Sequence, residues 1–144
     1  MQRQTNTNLM YKVFISHSSK DTWVVKQIEK CIKSTGSQTF LDYDNIKVGD
    51  TFEKVILKEL RESDELLVLF TPWAKQRPYV WLEIGAAWGL EKRIIGVLHG
   101  MTHEEIAEDG SSPVLLKSIN LIELNTIDIF FNQLEERIRE NGKQ

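Results

Sequence analysis

Glu65-Leu66-Leu67-Val68-Leu69-Phe70 is an unbroken apolar run of strand length behind a single acid. A strand wet on one face alternates apolar with polar residues, so a run without alternation reads as a strand buried on both faces. Helices must then cover both faces, the condition of a parallel sheet in an α/β domain. Working outward, Tyr11-Lys12-Val13-Phe14-Ile15 and Thr39-Phe40-Leu41 read as shorter strands upstream. Arg93-Ile94-Ile95-Gly96-Val97-Leu98 and Asn120-Leu121-Ile122-Glu123-Leu124 follow downstream. Between the strands the apolar spacing becomes helical. Trp23, Val24, Ile28, Cys31 and Ile32 mark a helix that stops at Thr35-Gly36. Thr51 can cap a second helix to about Arg61, with Phe52, Val55, Ile56 and Leu60 inward. Residues 71–78 read as a loop leading to a third helix around Tyr79-Val80-Trp81-Leu82-Glu83-Ile84-Gly85-Ala86-Ala87-Trp88. Short helical pieces are expected at 102–107 and near 113–117, and a closing amphipathic helix over 127–139. The rhythm predicts a five-stranded parallel sheet flanked by helices, an α/β three-layer sandwich.

At 144 residues the chain fits one domain, with residues 1–8 a disordered polar tail and 9–144 the folded unit. The net charge of -3 supplies no general attraction to nucleic acid or to an anionic membrane. No apolar run reaches membrane-spanning length, and the polar N-terminus lacks a signal-peptide core, so a cytoplasmic location is expected. The single cysteine, Cys31, excludes an internal disulfide and is expected to be a buried structural thiol. His17, His99 and His103 are scattered, no CxxC or HExxH is present, and no metal site is expected. His99 and His103, beside Glu104 and Glu105, read as a polar surface connector.

Candidate chemistry gathers where parallel strands end, because ligands of such sheets bind beyond the carboxyl ends near a reversal of strand order. The loops at 16–19, 42–50 and 71–78 all leave such ends. Ser16-His17-Ser18-Ser19 offers hydroxyls and backbone amides at a helix start, of which one serine should cap the helix. Neither GxGxxG nor GxxxxGKS occurs, and no GxSxG elbow supports a serine triad. Asp42, Asp44 and Asp50 read as turn formers. Glu83 stands apart as one carboxylate inside an apolar helical run, with Tyr79 and Ala87 one turn away on its stripe. It is either an exposed glutamate paired with Lys92 or Arg93, or part of a pocket wall. Trp81, Gly85 and Trp88 fall on another stripe, suited to packing on the sheet or to a subunit contact.

Taken together, these segments resemble the TIR (Toll/interleukin-1 receptor) domain family over about residues 9–139. Residues 11–21, a strand ending Phe14-Ile15-Ser16-His17-Ser18 with Asp21 shortly after, resemble its first motif. Leu41-Asp42-Tyr43-Asp44-Asn45-Ile46-Lys47-Val48-Gly49-Asp50 resembles its BB loop, with Val48 where the family often has proline. Phe70-Thr71-Pro72-Trp73 through Glu83 resembles its third region, with Thr71 where serine is common. The resemblance implies a flavodoxin-like fold. It also implies the NAD+-consuming type common in bacteria, a glycohydrolase or ADP-ribosyl cyclase with Glu83 catalytic and NAD+ as substrate rather than cofactor. Phe14, Ser16, His17, Ser18, Ser19, Asp44, Lys47, Thr71 and Tyr79 are the substrate-binding candidates it implies. Tyr79 stands where an aromatic, commonly tryptophan, lines the nicotinamide side.

Family enzymes act as assemblies, so a homo-oligomer or filament, with separate sensor or effector proteins, is the implied setting. A signal in bacterial antiphage defence, or an effector directed at a host, is the implied role. The reading from another class is a non-catalytic TIR scaffold, which needs no acid at position 83. A receiver-like regulator fits less well, since it would place paired acids after the first strand, where Ser16-His17-Ser18 stands.

Overall fold

A computed structural model describes residues 10–41, 52–108 and 117–142 of the chain. The elements run β1 (Lys12–Ser16), α1 (Thr22–Ser34), β2 (Gln38–Leu41), α2 (Phe52–Glu62), β3 (Glu65–Phe70), α3 (Pro72–Lys75), α4 (Pro78–Gly89), β4 (Arg93–Leu98), α5 (His103–Glu108), β5 (Asn120–Glu123) and α6 (Asp128–Glu140). All pairings are parallel, in the order β2-β1-β3-β4-β5. The three-layer, flavodoxin-like architecture expected from the sequence is the one observed. Strand order reverses between β1 and β3, so their carboxyl ends, Ser16 and Phe70, flank the crevice where such folds place their sites.

Every residue of β3 is buried, and successive side chains divide between two cores. Leu66, Val68 and Phe70 join Phe14, Phe40, Ile56, Leu60, Val80, Ile84 and Ile106 under α2, α4 and α5. Leu67 and Leu69 join Val13, Ile15, Val25, Ile28, Ile32, Phe130, Leu134 and Ile138 under α1 and α6. Each such side chain contributes roughly 1.5–3 kcal/mol on burial, which makes β3 the spine of the domain. Gly96 on β4 is required by close approach. A Cβ there would lie 2.7 Å from Leu121 Cδ2 and 2.9 Å from Phe70 Cε2.

Three expectations are corrected. Cys31 is exposed, not buried. The inward stripe of α1 is Val25, Ile28 and Ile32, and Cys31 lies about 100° around the helix from Ile32. Trp23 is 73% exposed, on the far side from Val25. Residues 71–78 are not all loop, because Thr71 caps the one-turn helix α3 by accepting from Ala74 N at 3.1 Å. The tail at 1–8, the loop at 42–50 and all but Lys117 of the helical piece near 113–117 lie outside the described residues. Among the described residues no helix is long and apolar enough to cross a membrane.

The acid that begins β3 has a role its sequence position does not reveal. Glu65 is buried and receives a two-pronged bond from Arg137 of α6, Nε to Oε2 and Nη2 to Oε1, each 2.9 Å. The Tyr11 hydroxyl also donates to Oε2. Burial first, then the Glu65 charge, holds the Tyr11 phenol well above its ordinary value of 10.0. Removing one partner of a buried ion pair leaves an uncompensated charge. Arg137→Ala is therefore expected to lower the unfolding free energy by about 3–5 kcal/mol in urea titration. A raised folded-state value means the native chain holds this proton more tightly. The Tyr11 contribution should be fully present below pH 10.0 and be lost as pH rises above it, an alkaline loss that Tyr11→Phe should reduce.

Candidate active site

Alternation along β1 puts Ser16 on the same face as Phe14, beneath α4 rather than α1. Its hydroxyl donates to Glu83 Oε1, and both side chains are fully buried. Val80, Glu83, Ile84 and Ala87 form the inward stripe of α4. The exposed-glutamate reading of Glu83 is thereby excluded. Glu83 is the only acid or base of the helix besides the phenol of Tyr79, yet it faces the protein, while Leu82 and Trp88 are 46% and 50% exposed. Burying a carboxylate costs several kcal/mol unless donors compensate. Simple amphipathic folding would have placed this charge in water.

Three links tie the segment from β3 to α4 to the turn after β1. Ser16 reaches Glu83. Arg77, just before α4, donates through Nη1 to the His17 carbonyl at 2.6 Å. Thr71 donates to Asp21 Oδ2, also at 2.6 Å, while accepting from Ala74 N. Pro78 sits in the first turn of α4, where its missing N–H is harmless. Trp81 packs on Phe70 with ring centroids 5.7 Å apart and donates Nε1 to the Lys75 carbonyl at 2.8 Å. That agrees with the packing role expected of it.

Of the other candidates, His17 and Ser18 are buried beside Ser16, and Ser18, by accepting from Lys20 N at 3.1 Å, caps the short 3-10 turn Ser19–Asp21 that precedes α1 rather than α1 itself. Ser19 is exposed, and its carbonyl accepts from the Thr22 hydroxyl. Phe14 has no exposed surface and packs against Phe40 at 5.0 Å. Tyr79 is half-buried, with its hydroxyl donating to Glu53 Oε2 of α2 at 2.9 Å. That bond to a carboxylate raises the phenol from its ordinary value. Asp44 and Lys47 lie outside the described residues. Asp21 and Arg77 were missed by reading for site residues. Asp21 sits at an N-cap position, which explains an aspartate without calling on Thr71, and no spacing rule joins the two.

His99 and His103 are exposed, as expected of a surface connector. No cluster of three potential metal ligands occurs among the described residues. A cavity of about 340 Å³ beyond β4 and β5 is lined by residues including His99, Met101, Glu105 and Glu123. It shares no lining residue with the group around Glu83.

A parallel sheet with this strand order, carrying a buried acid beside its reversal point, defines an α/β domain with a site at the carboxyl edge. The family model for the TIR domain matches residues 13–138, and the chain belongs to that family. A probable 2' cyclic ADP-D-ribose synthase, TcpO, of Methanobrevibacter olleyae is 29% identical over 135 residues, covering 90% of this chain and 39% of that protein. The 2' cyclic ADP-D-ribose synthase BtTIR of Bacteroides thetaiotaomicron is 25% identical over 131 residues, covering 87% and 45%. The chain thus spans less than half the length of these two relatives. The crystal structure of the TIR domain of the Toll-related receptor TRR-2 from Hydra magnipapillata has the same fold. It superposes with a TM-score of 0.68 at 20% identity, covering 90% of this chain and 99% of that one.

Ser16→Ala would remove a donor from a fully buried carboxylate. The expected loss of stability is about 1–3 kcal/mol by urea denaturation. At exposed Ser19 the same substitution should stay within about 0.5 kcal/mol.

Proposed function

We propose that the chain cleaves the nicotinamide–ribose bond of NAD+ and releases nicotinamide with ADP-ribose or a cyclic ADP-ribose isomer. The observation that carries this reading is Glu83, fully buried on an otherwise uncharged helix face and held by Ser16 at the reversal point of the sheet. The two relatives named as 2' cyclic ADP-D-ribose synthases support it.

The chemistry suits a single acid. Nicotinamide in NAD+ is a pyridinium, so when its bond to the anomeric carbon breaks, the electron pair neutralises the ring. No general acid is required, unlike the hydrolysis of ordinary glycosides, where one carboxyl group must protonate the leaving oxygen. Positive charge develops on the ribose, and a preoriented carboxylate stabilises it more effectively in a dry site than in water. In this reading Glu83 binds the ribose hydroxyls and faces that charge. The Ser16 bond fixes the carboxylate, so little reorganisation accompanies the reaction. Attack by water, with loss of its proton, gives ADP-ribose. Attack by the adenine or by a ribose hydroxyl of the same molecule gives a cyclic isomer, the class favoured by the relatives' names.

We assign the working form to an assembly of TIR domains. Trp73, Leu82 and Trp88 are about half exposed, and the outward side of α4 carries no charge. A diffusible cyclic nucleotide would serve as a signal, which suits a place in antiphage defence.

The test is incubation of concentrated protein with NAD+ and chromatography of the products. Glu83→Ala and Glu83→Gln should each reduce nicotinamide release by about 100-fold or more. Release that survives both substitutions overturns the assignment. No release by the wild type, even under crowded conditions, would favour the scaffold reading.

A further inference from the structure

Asp21 occupies the N-cap position of α1, where an aspartate normally accepts from its own helix's first amides. It makes no such bond. Its carboxylate, on a residue only 5% exposed, instead accepts from the Thr71 hydroxyl across 50 positions of sequence. Thr71 is fully buried, and its hydroxyl spends its one proton on Asp21 while accepting from Ala74 N. An aspartate that forgoes a cap worth about 1 kcal/mol to hold a distant hydroxyl is set up to fix the segment that hydroxyl begins. That segment is α3, leading directly into α4 and Glu83. Arg77 holds the same segment midway through the His17 carbonyl.

We infer that Asp21, acting through the Thr71 hydroxyl, is a positioning residue that sets the placement of α3 and α4 and so the register of Glu83 over Ser16. The inference rests on the proposed NAD+ cleavage for its catalytic consequence, though not for its geometry. In this inference Asp21 and Thr71 act through their buried bond to one another rather than on substrate. A displacement of about 1 Å at a reacting group is enough to cost up to 100-fold in rate. The effect should therefore fall on kcat.

The experiment compares full-length Asp21→Asn, Asp21→Ala, Thr71→Val and Thr71→Ser with wild type in two assays. In NAD+ turnover, Asp21→Ala and Thr71→Val should lower kcat by about 10-fold or more, with KM within about twofold. Thr71→Ser, which keeps the hydroxyl, should recover most of the rate. Asp21→Ala combined with Thr71→Val should be no worse than the poorer single variant, as expected of a coupled pair. In backbone hydrogen exchange, Asp21→Ala and Thr71→Val should lose protection over 72–83 while β3 and β4 keep theirs. A rise in KM at unchanged kcat would mean that these residues bind substrate, and would overturn the proposal. So would a uniform loss of protection across the sheet, the mark of a purely structural role, or unchanged exchange. If wild type cleaves no NAD+, the catalytic reading fails by itself and the exchange result alone decides the positioning role. Should Asp21→Ala not fold, Thr71→Val tests the same bond from its donor side, while Asp21→Asn, whose amide oxygen can still accept from Thr71, should keep most of the rate and of the protection.

Discussion

A parallel strand covered on both faces leaves no place along its length for a charge, and β3 shows the consequence. From Leu66 to Phe70 its side chains fill two cores, and polar groups occur only where the strand begins and where it has just ended. At the amino end Glu65 meets Arg137 and Tyr11. Just past the carboxyl end Thr71 meets Asp21, and Glu83 lies on the helix that follows. Apolar burial holds the sheet together, and the same burial forces each nearby ionic group to find a partner at one edge or the other.

The two edges use that constraint differently. At the amino edge a fork of Arg137 satisfies both oxygens of Glu65, an arrangement that fastens α6 to the sheet and offers little for chemistry. At the carboxyl edge the acids are held by neutral hydroxyls, Ser16 for Glu83 and Thr71 for Asp21. A hydroxyl orients a carboxyl group through one directed hydrogen bond, and under the proposed function an oriented group facing the ribose is what stabilisation of developing positive charge requires. Reversal of strand order between β1 and β3 puts this edge at the crevice. The two edges thus differ in the partners their buried acids received, a guanidinium at one and hydroxyls at the other.

Much of the framework was legible along the chain, for a physical reason visible in particular residues. The run 65–70, the strand at 93–98 and the helix stop at Thr35-Gly36 are local signals, and the structure repeats them, with Gly36 at φ 105°. Glu83 could be singled out because a charge in an apolar helical run is anomalous without any tertiary knowledge. The failures were also local. Cys31 and Trp23 satisfied helical spacing loosely but sit off the inward stripe of Val25, Ile28 and Ile32. The turn of α3 was too short to show any periodicity, and a capping threonine followed by proline is weak evidence by itself.

What the sequence determined alone is the alternation of strands and helices, the doubly buried centre of the sheet, and the oddity of one acid on an apolar helix, because each depends on residues adjacent or one turn apart. Tertiary structure decided which partners those residues have. The links Ser16 to Glu83, Asp21 to Thr71 and Glu65 to Arg137 span 67, 50 and 72 positions. No local pattern encodes such pairs, because they exist only once the sheet has brought its strand ends together. The solitary glutamate in the sequence becomes, in the fold, a buried carboxylate held at one edge of the sheet.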